Sequence, residues 1–305
     1  MEKFELHIMG CGSAVPTKRH APSCQVVNVR EKLFMIDCAE GSQLQLRHAA
    51  LHFSHLSHIF ISHLHGDHCF GLIGLISTFD LLGRTAQLHL YSPGDALERM
   101  LRPWIEFFCR DMGYEVVFHS FSPNHSEVVY DDRSVTVRTI PLKHRVPCCG
   151  FLFEEKPLLP NIRKDMIDFL HIPVFAIKAI KEGGDWTDAA GRVWRHEELT
   201  TPAPRPRRYA YCSDTSVVAR NAEMLEGVDL LYHEATFASD AAARARETGH
   251  STAAQAAEFA KSCHVGRLVI GHFSARYEDE RPLLAEAKEV FENTILAKEG
   301  LKIEV

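Results

Sequence analysis

Apolar and polar side chains alternate through Phe4-Glu5-Leu6-His7-Ile8, a period that predicts a strand with one buried face, ended by the turn Gly10-Cys11-Gly12. CQVVNVR (24–30) and KLFMIDC (32–38) predict the next two strands, and EGSQLQLRHAAL (40–51) a short helix. Ser57–Ile61 reads as a brief apolar strand, and Gly71–Leu82 as a helix. Further strands are predicted at 87–91, 115–119, 127–130, 135–140, 150–154, 208–212, 228–232, 267–271 and 302–305. Further helices are predicted at 95–108, 216–225, 252–263 and 281–292. Runs of strands mixed with single crossover helices imply two sheets with helices outside them, not one doubly wound parallel sheet. Residues 155–207 break this rhythm: they are rich in Pro, Lys, Arg and Glu and carry only a weak helical pattern at Ile162–Leu170. They read as an arm-like insertion within a single domain spanning 1–305, ending in the linker TPAPRPRR.

Composition narrows the class. A chain of 305 residues with 46% hydrophobic and 24% charged side chains is long enough to bury a sizeable core and is that of a soluble globular protein. The opening MEKFELHIMG is acidic and alternating, unlike a signal peptide, and no apolar run approaches the ~20 residues of a membrane span. A cytoplasmic protein without membrane contact is the expectation. The nine cysteines are scattered singly apart from Cys148–Cys149, and no CxxC occurs, which argues against a disulfide framework or a thiolate zinc ribbon. Buried free thiols account for Cys11, Cys69, Cys148 and Cys149, which lie near the motifs described next. A net charge of −6 weighs against nucleic-acid binding, although a local basic patch overrides a global sign.

Histidine is unusually abundant, at 19 residues, and four ligating groups crowd into IFISHLHGDHCFGLIGL (59–75). His63 and His65 lie two apart, so in an extended loop both imidazoles can converge on one cation. Asp67 and His68 follow a turn later and can face a neighbouring ion. Imidazole and carboxylate are the donors of catalytic zinc sites, which keep a position open for water. Gly66 is expected to form a tight turn among them. Further donors follow other strand-like runs: His144 in PLKHRVPCCGF, Asp214 in YAYCSDTS and His272 in LVIGHFSARY.

HxHxDH followed by a later His, Asp and His resembles the metallo-β-lactamase superfamily. Within it, the chain resembles the short form of ribonuclease Z, which removes 3′ trailers from precursor tRNA. GCGSAVPTKRH (10–20), IDCAEGSQ (36–43), HEATF (233–237) and GHST (249–252) carry this narrower likeness. It implies an αββα four-layer sandwich with a protruding arm. It implies one zinc on His63, His65 and His144, a second on Asp67, His68 and His272, and Asp214 bridging them, with Mn²⁺ or Fe²⁺ as possible replacements. Two such ions activate a water and clamp a phosphate. Asp67 is expected to orient that water. His250 is the expected proton donor to the leaving 3′-oxygen, held by Glu234, while His233 reads as a packing or supporting residue. For His250 the bland alternative is that it only precedes a helix cap at Ser251 or Thr252. Ser274 and Arg276 are candidate phosphate contacts, and Lys18 and Arg19 candidate contacts to the RNA backbone. The family habit further implies a homodimer.

The arm departs from that pattern. Where a Gly-Pro-rich turn is usual, HIPVFAIK (171–178) keeps only Pro173, and Ala39 stands where glycine is common. Residues 154–184 hold five basic side chains (Lys156, Arg163, Lys164, Lys178, Lys181) against five acidic ones (Glu154, Glu155, Asp165, Asp168, Glu182). An enzyme of the same superfamily acting on a cyclic nucleotide, an arylsulfate or a lactone therefore remains an alternative, because fold does not fix substrate. A metal-stabilised RNA-binding or scaffold protein is a third reading.

Overall fold

The structure is a computed structural model that describes residues 2–305. The chain up to Glu154 together with Arg207–Val305 forms one compact unit, and Glu155–Pro206 forms another. In the larger unit the strands β1 (Phe4–Gly10), β2 (Cys24–Val29), β3 (Lys32–Ile36), β4 (Leu56–Phe60), β5 (Leu88–Pro93) and β6 (Val116–Phe121) come first. They are followed by β7 (Val128–Asp131), β8 (Val135–Pro141) and β9 (Cys149–Glu155). The smaller unit contributes β10 (Asn161–Ile162), β11 (Trp186–Thr187), β12 (Val193–Trp194) and β13 (Thr200–Thr201). The larger unit then ends with β14 (Arg208–Cys212), β15 (Leu230–Glu234), β16 (Arg267–Gly271), β17 (Thr294–Leu296) and β18 (Lys302–Glu304).

Two seven-stranded sheets result, ordered β18-β1-β2-β3-β4-β5-β6 and β17-β16-β15-β14-β9-β8-β7. The antiparallel pair β2–β3 is closed by Arg30-Glu31, both with positive φ (51° and 67°), the backbone that a two-residue hairpin turn demands. β3–β4, β4–β5 and β5–β6 pair in parallel, as strands joined by crossover segments must. Side-chain alternation divides the first sheet between two cores. Phe4, Leu6, Ile8, Phe34 and Phe60 pack with Phe151, Phe153, Tyr209 and Tyr211 of the second sheet. Met9, Val26, Met35 and Ile59 face the other way, against Leu72, Leu75 and Ile76 of the helix Leu72–Leu81. Ala253, Ala256 and Leu283, from helices Ala253–Ser262 and Arg281–Val290, cover the second sheet. The order is thus helix, sheet, sheet, helix, the expected sandwich.

Elements with strong periodicity form where the sequence places them. The exceptions have local causes. The predicted helix 216–225 is a 3₁₀ turn, Ala219–Asn221, followed by one short helix, Ala222–Leu225. Helix Ala242–Thr248 and strand β17 were not predicted; both are short, and the helix buries only Ala245. Among the described residues no helix is long and apolar enough to cross a membrane.

The smaller unit has its own core of Ile172, Ala176, Ile180 and Leu199. It holds two antiparallel pairs, β10–β13 and β11–β12. HIPVFAIK leads into a helix, Val174–Lys181, that the sequence reading did not predict. Pro173 sits at the N-cap, where its missing N–H breaks no helical bond.

Candidate metal centre

Strand ends deliver the chemistry. His63 and His65 follow β4, and the short helix Gly66–Cys69 carries Asp67 and His68. Asp214 lies two residues beyond β14, His272 directly beyond β16, and His144 three beyond β8. Asp214 and His272 hold left-handed backbone (φ 51° and 61°), as does Asp37 after β3 (φ 57°), a strained conformation for residues with a Cβ. Gly66 does not make the expected tight turn, since it opens the helix Gly66–Cys69 and has no positive φ. A Cβ there would lie 2.3 Å from the Phe70 ring, which is 63% exposed and free to swing aside.

The donors converge in two groups. His63, His65, His144 and Asp214 form one; Asp67, His68 and His272 form the other, with the ligating atoms of each within 4.8 Å of one another. Asp214 spans both. Its Oδ2 lies 3.6 Å from His63 Nε2 and 3.8 Å from His144 Nε2, and its Oδ1 lies 3.2 Å from His68 Nε2 and 3.0 Å from His272 Nε2. His65 Nδ1 approaches His63 Nε2 to 2.9 Å.

Supporting hydrogen bonds fix the ring orientations. His68 Nδ1 donates to Asp37 Oδ2 (2.7 Å) and His144 Nδ1 to the Gly249 carbonyl (3.0 Å). His63 Nδ1 meets Ser62 Oγ (3.1 Å), whose hydroxyl donates to Asp37 (3.0 Å). His272 Nδ1 meets Thr236 Oγ1 (3.0 Å), whose hydroxyl donates to Glu234 Oε2 (2.6 Å). With Nδ1 occupied in each ring, Nε2 keeps its lone pair for the cluster. The buried Nε2 atoms of His68, His144 and His272 have no hydrogen-bond partner, an arrangement that is costly unless a cation takes the lone pairs. This all-imidazole and carboxylate set suits zinc and similar divalent ions. The charges are tightly coupled. Burial pushes His63 well down, with His68 adding to it. At His272 burial also lowers the ring, but Asp214 and Asp67 together outweigh it and raise it to about 10, and a cation bound at Nε2 would displace that proton and take the lone pair. At Asp214 burial is outweighed by His272, His68 and His63, which hold the carboxyl well below the usual range.

Beside the cluster, His250 Nδ1 donates to Glu234 Oε1 at 2.7 Å. Glu234 is fully buried and also accepts from Thr215 N (2.9 Å) and Thr236 N (3.1 Å), while 12% of the His250 side chain is exposed. The helix cap and the pair are separate features: Thr252 caps Ala253–Ser262 through Gln255, and Ser251 donates to the Thr215 carbonyl (2.6 Å). Gly249 is required by space and by backbone, as its φ is 76° and a Cβ would approach His144 Nδ1 to 3.2 Å. His233 turns away from the cluster, its Nδ1 on the Glu234 carbonyl (2.8 Å) and its ring against Phe259.

A cavity of about 630 Å³ opens over the cluster. Ser274 and Arg276 line it, with Arg276 stacked over Phe237 at 4.8 Å. Lys18 and Arg19 do not line it; Arg19 pairs with Glu280 at 3.3 Å. Sequence reading passed over Arg145, Arg244 and Thr236 in the lining. Arg145 was signalled by its place beside His144, and Thr236 by its place two residues after Glu234. Arg244 sits on the helix that the hydrophobic pattern did not reveal.

Comparison with known proteins gives two nested matches. The family described as Anti-Pycsar protein Apyc1 matches residues 4–160. Over the whole length, the chain is 59% identical across 305 residues to the ribonuclease Z of Phocaeicola vulgatus, covering 100% of this chain and 98% of that protein. The crystal structure of human tRNase Z, short form, superposes with a TM-score of 0.71 at 26% identity, covering 99% of both chains. The metallo-β-lactamase fold protein YhfI from Bacillus subtilis superposes with a TM-score of 0.67 at 19% identity, covering 99% of this chain and 100% of that one. The match to residues 4–160 ends before Asp214, Glu234, His250 and His272, whereas the ribonuclease Z match takes in all of them, and the chain belongs to the ribonuclease Z family of metallo-β-lactamase-fold proteins.

Proposed function

We propose that this chain is a metal-dependent endoribonuclease that hydrolyses the phosphodiester joining the 3′ trailer to precursor tRNA, leaving a 3′-hydroxyl on the tRNA. The observation that carries the reading is the Glu234–His250 pair set beside two donor groups that share Asp214, under one open cavity. A site built only to stabilise a fold has little use for an oriented proton donor beside it. His63, His65 and His144 would hold one divalent ion, Asp67, His68 and His272 the other, and Asp214 both. Such ions, of which zinc is the first choice, neutralise the non-bridging phosphate oxygens and lower the pKa of water.

The chain's own residues do the rest. Asp67 is fixed by the Ala14 N–H (2.7 Å) and can accept a hydrogen bond from the attacking water, aligning it with the phosphorus. As the P–O3′ bond breaks, the leaving oxygen needs a proton. Glu234 holds His250 by Nδ1, so Nε2 is the atom that carries the proton to it, a contribution of ~10²–10⁴ in rate. Arg276 and Ser274 line the same cavity, where a guanidinium makes paired bonds to phosphate oxygens. The reading includes a cytoplasmic location and a homodimer, the latter tested by light scattering of the purified protein.

The test compares a 3′-extended precursor tRNA with bis(p-nitrophenyl) phosphate, each with protein as isolated and after chelation. Single cleavage of the precursor at the base of the acceptor stem, abolished by chelation, is expected. Hydrolysis of the small diester alone would overturn the substrate and keep the centre.

A further inference from the structure

Beneath the N-terminal glycine loop lies a second group of ligating side chains, apart from the His/Asp centre. Cys11 Sγ is 3.3 Å from His20 Nδ1 and 3.6 Å from Glu299 Oε1, and His20 Nδ1 is 3.3 Å from the same Oε1. Ordinary zinc–sulfur, zinc–nitrogen and zinc–oxygen bond lengths place tetrahedral ligands about 3.4–3.6 Å apart. The three observed separations lie close to those edges, so a cation needs only small adjustments to bond all three. Cys11 is buried, and His20 and Glu299 are mostly so, with side-chain exposures of 11% and 18%.

The surroundings match a built site. His20 Nε2 faces Glu280 Oε1 at 3.2 Å, so a carboxylate stands beside the far nitrogen of the ring while Nδ1 faces Cys11 and Glu299. Arg19 Nη1 lies 3.3 Å from the same Glu280 Oε1. Ala21 N–H donates to Glu299 Oε1 (2.9 Å) and fixes its carboxylate. An open cavity of about 600 Å³, bordered by His7 and His48, reaches the group on its Glu299 side.

We propose that Cys11, His20 and Glu299 form a separate mononuclear zinc site, structural in role. Its place gives that role content. The loop carrying Cys11 accepts a bond from Phe273 N at the Cys11 carbonyl (3.0 Å), returns one from Ser13 N to the Phe273 carbonyl (3.1 Å), and reaches Asp67 through Ala14 N (2.7 Å). A cation on Cys11 thus pins the loop that touches Asp67 and the neighbour of His272.

Cobalt substitution tests this, because the His/Asp centre contains no thiolate. The full chain is stripped with chelator, reloaded with Co²⁺, and read for the near-ultraviolet thiolate-to-cobalt charge-transfer band and for metal per chain by elemental analysis. Wild type is expected to show the band, to lose it on adding Zn²⁺, and to bind one ion more than C11S or H20Q. Absence of the band from folded wild type overturns the proposal, as does an unchanged metal count or a surviving band in C11S. If C11S does not fold, the wild-type band and H20Q still decide.

Discussion

Replacing Glu234 by glutamine separates proton donation from everything else at the site. Glu234 Oε1 accepts from His250 Nδ1 (2.7 Å) and Thr215 N (2.9 Å), and Oε2 from Thr236 N (3.1 Å) and Thr236 Oγ1 (2.6 Å). Glutamine has the same shape but one acceptor and one NH₂, so in either orientation two donors face a donor. The lost charge-assisted bonds are worth about 1.5–3 kcal/mol. If that loss falls on the His250 orientation needed in the transition state, kcat for precursor RNA drops by ~10²-fold. The p-nitrophenolate of bis(p-nitrophenyl) phosphate departs without a proton, so its hydrolysis should fall less than about tenfold by the same reasoning. Steady-state rates on both substrates, with metal content per chain, make the assay. Because Thr236 links Glu234 to His272, a merely structural effect would lower both rates together and strip metal. Parallel losses on the two substrates, or a lost ion, would refute the assigned role of the pair.

Three further outcomes follow from other contacts. Asp37→Asn weakens the bond that orients His68 (2.7 Å) and should lower metal affinity by ~10–100-fold, read by competition with a chromophoric chelator; unchanged affinity would remove Asp37 from the centre's support. His58, stacked on His89 and bonded to Tyr91, is lowered to about 4 by burial, with His89 and His119 adding to it. Its unfolded value is ~6.5, so its neutral form supports the fold fully above that pH, and the support is lost as pH falls toward about 4, costing ~2 kcal/mol at pH 5; His58→Gln should flatten the decline between pH 7.5 and 5 in denaturant titrations by about that amount. Gly71→Ala drives a Cβ to 2.0 Å from the Ala39 carbonyl and should cost ~3 kcal/mol or more, while Gly66→Ala meets only the exposed Phe70 ring and should be mild, a contrast that thermal unfolding checks.

The residues legible in the sequence were those whose spacing reports geometry directly. HxHxDH after an apolar strand is one; the single His or Asp beyond each later strand is another, because a strand end has only one place to go. What lay hidden depends on the third dimension. The positive φ of Asp214 and His272 leaves no pattern in neighbouring residues. Thr236 earns its place by joining Glu234 to His272, 36 residues further on, and Cys11 meets Glu299 across 288 residues. Gly66 looked like a turn and opens the helix Gly66–Cys69, and HIPVFAIK, read only as an altered arm turn, leads into the helix Val174–Lys181. The helix Ala242–Thr248, which brings Arg244 to the cavity, is mostly Ala, Arg, Glu and Thr, with too few apolar positions for periodicity to show.

The central claim is hydrolysis by an external water with breakage of P–O3′, and isotope tracing tests it most directly. Precursor tRNA is cleaved in ¹⁸O-enriched water, and both products are analysed by mass spectrometry. One ¹⁸O atom should appear in a 5′-phosphate on the trailer, with an unlabelled 3′-hydroxyl on the tRNA. Label on a 3′-phosphate of the tRNA, or a 2′,3′-cyclic phosphate in its place, would contradict the mechanism assigned to Asp67 and His250.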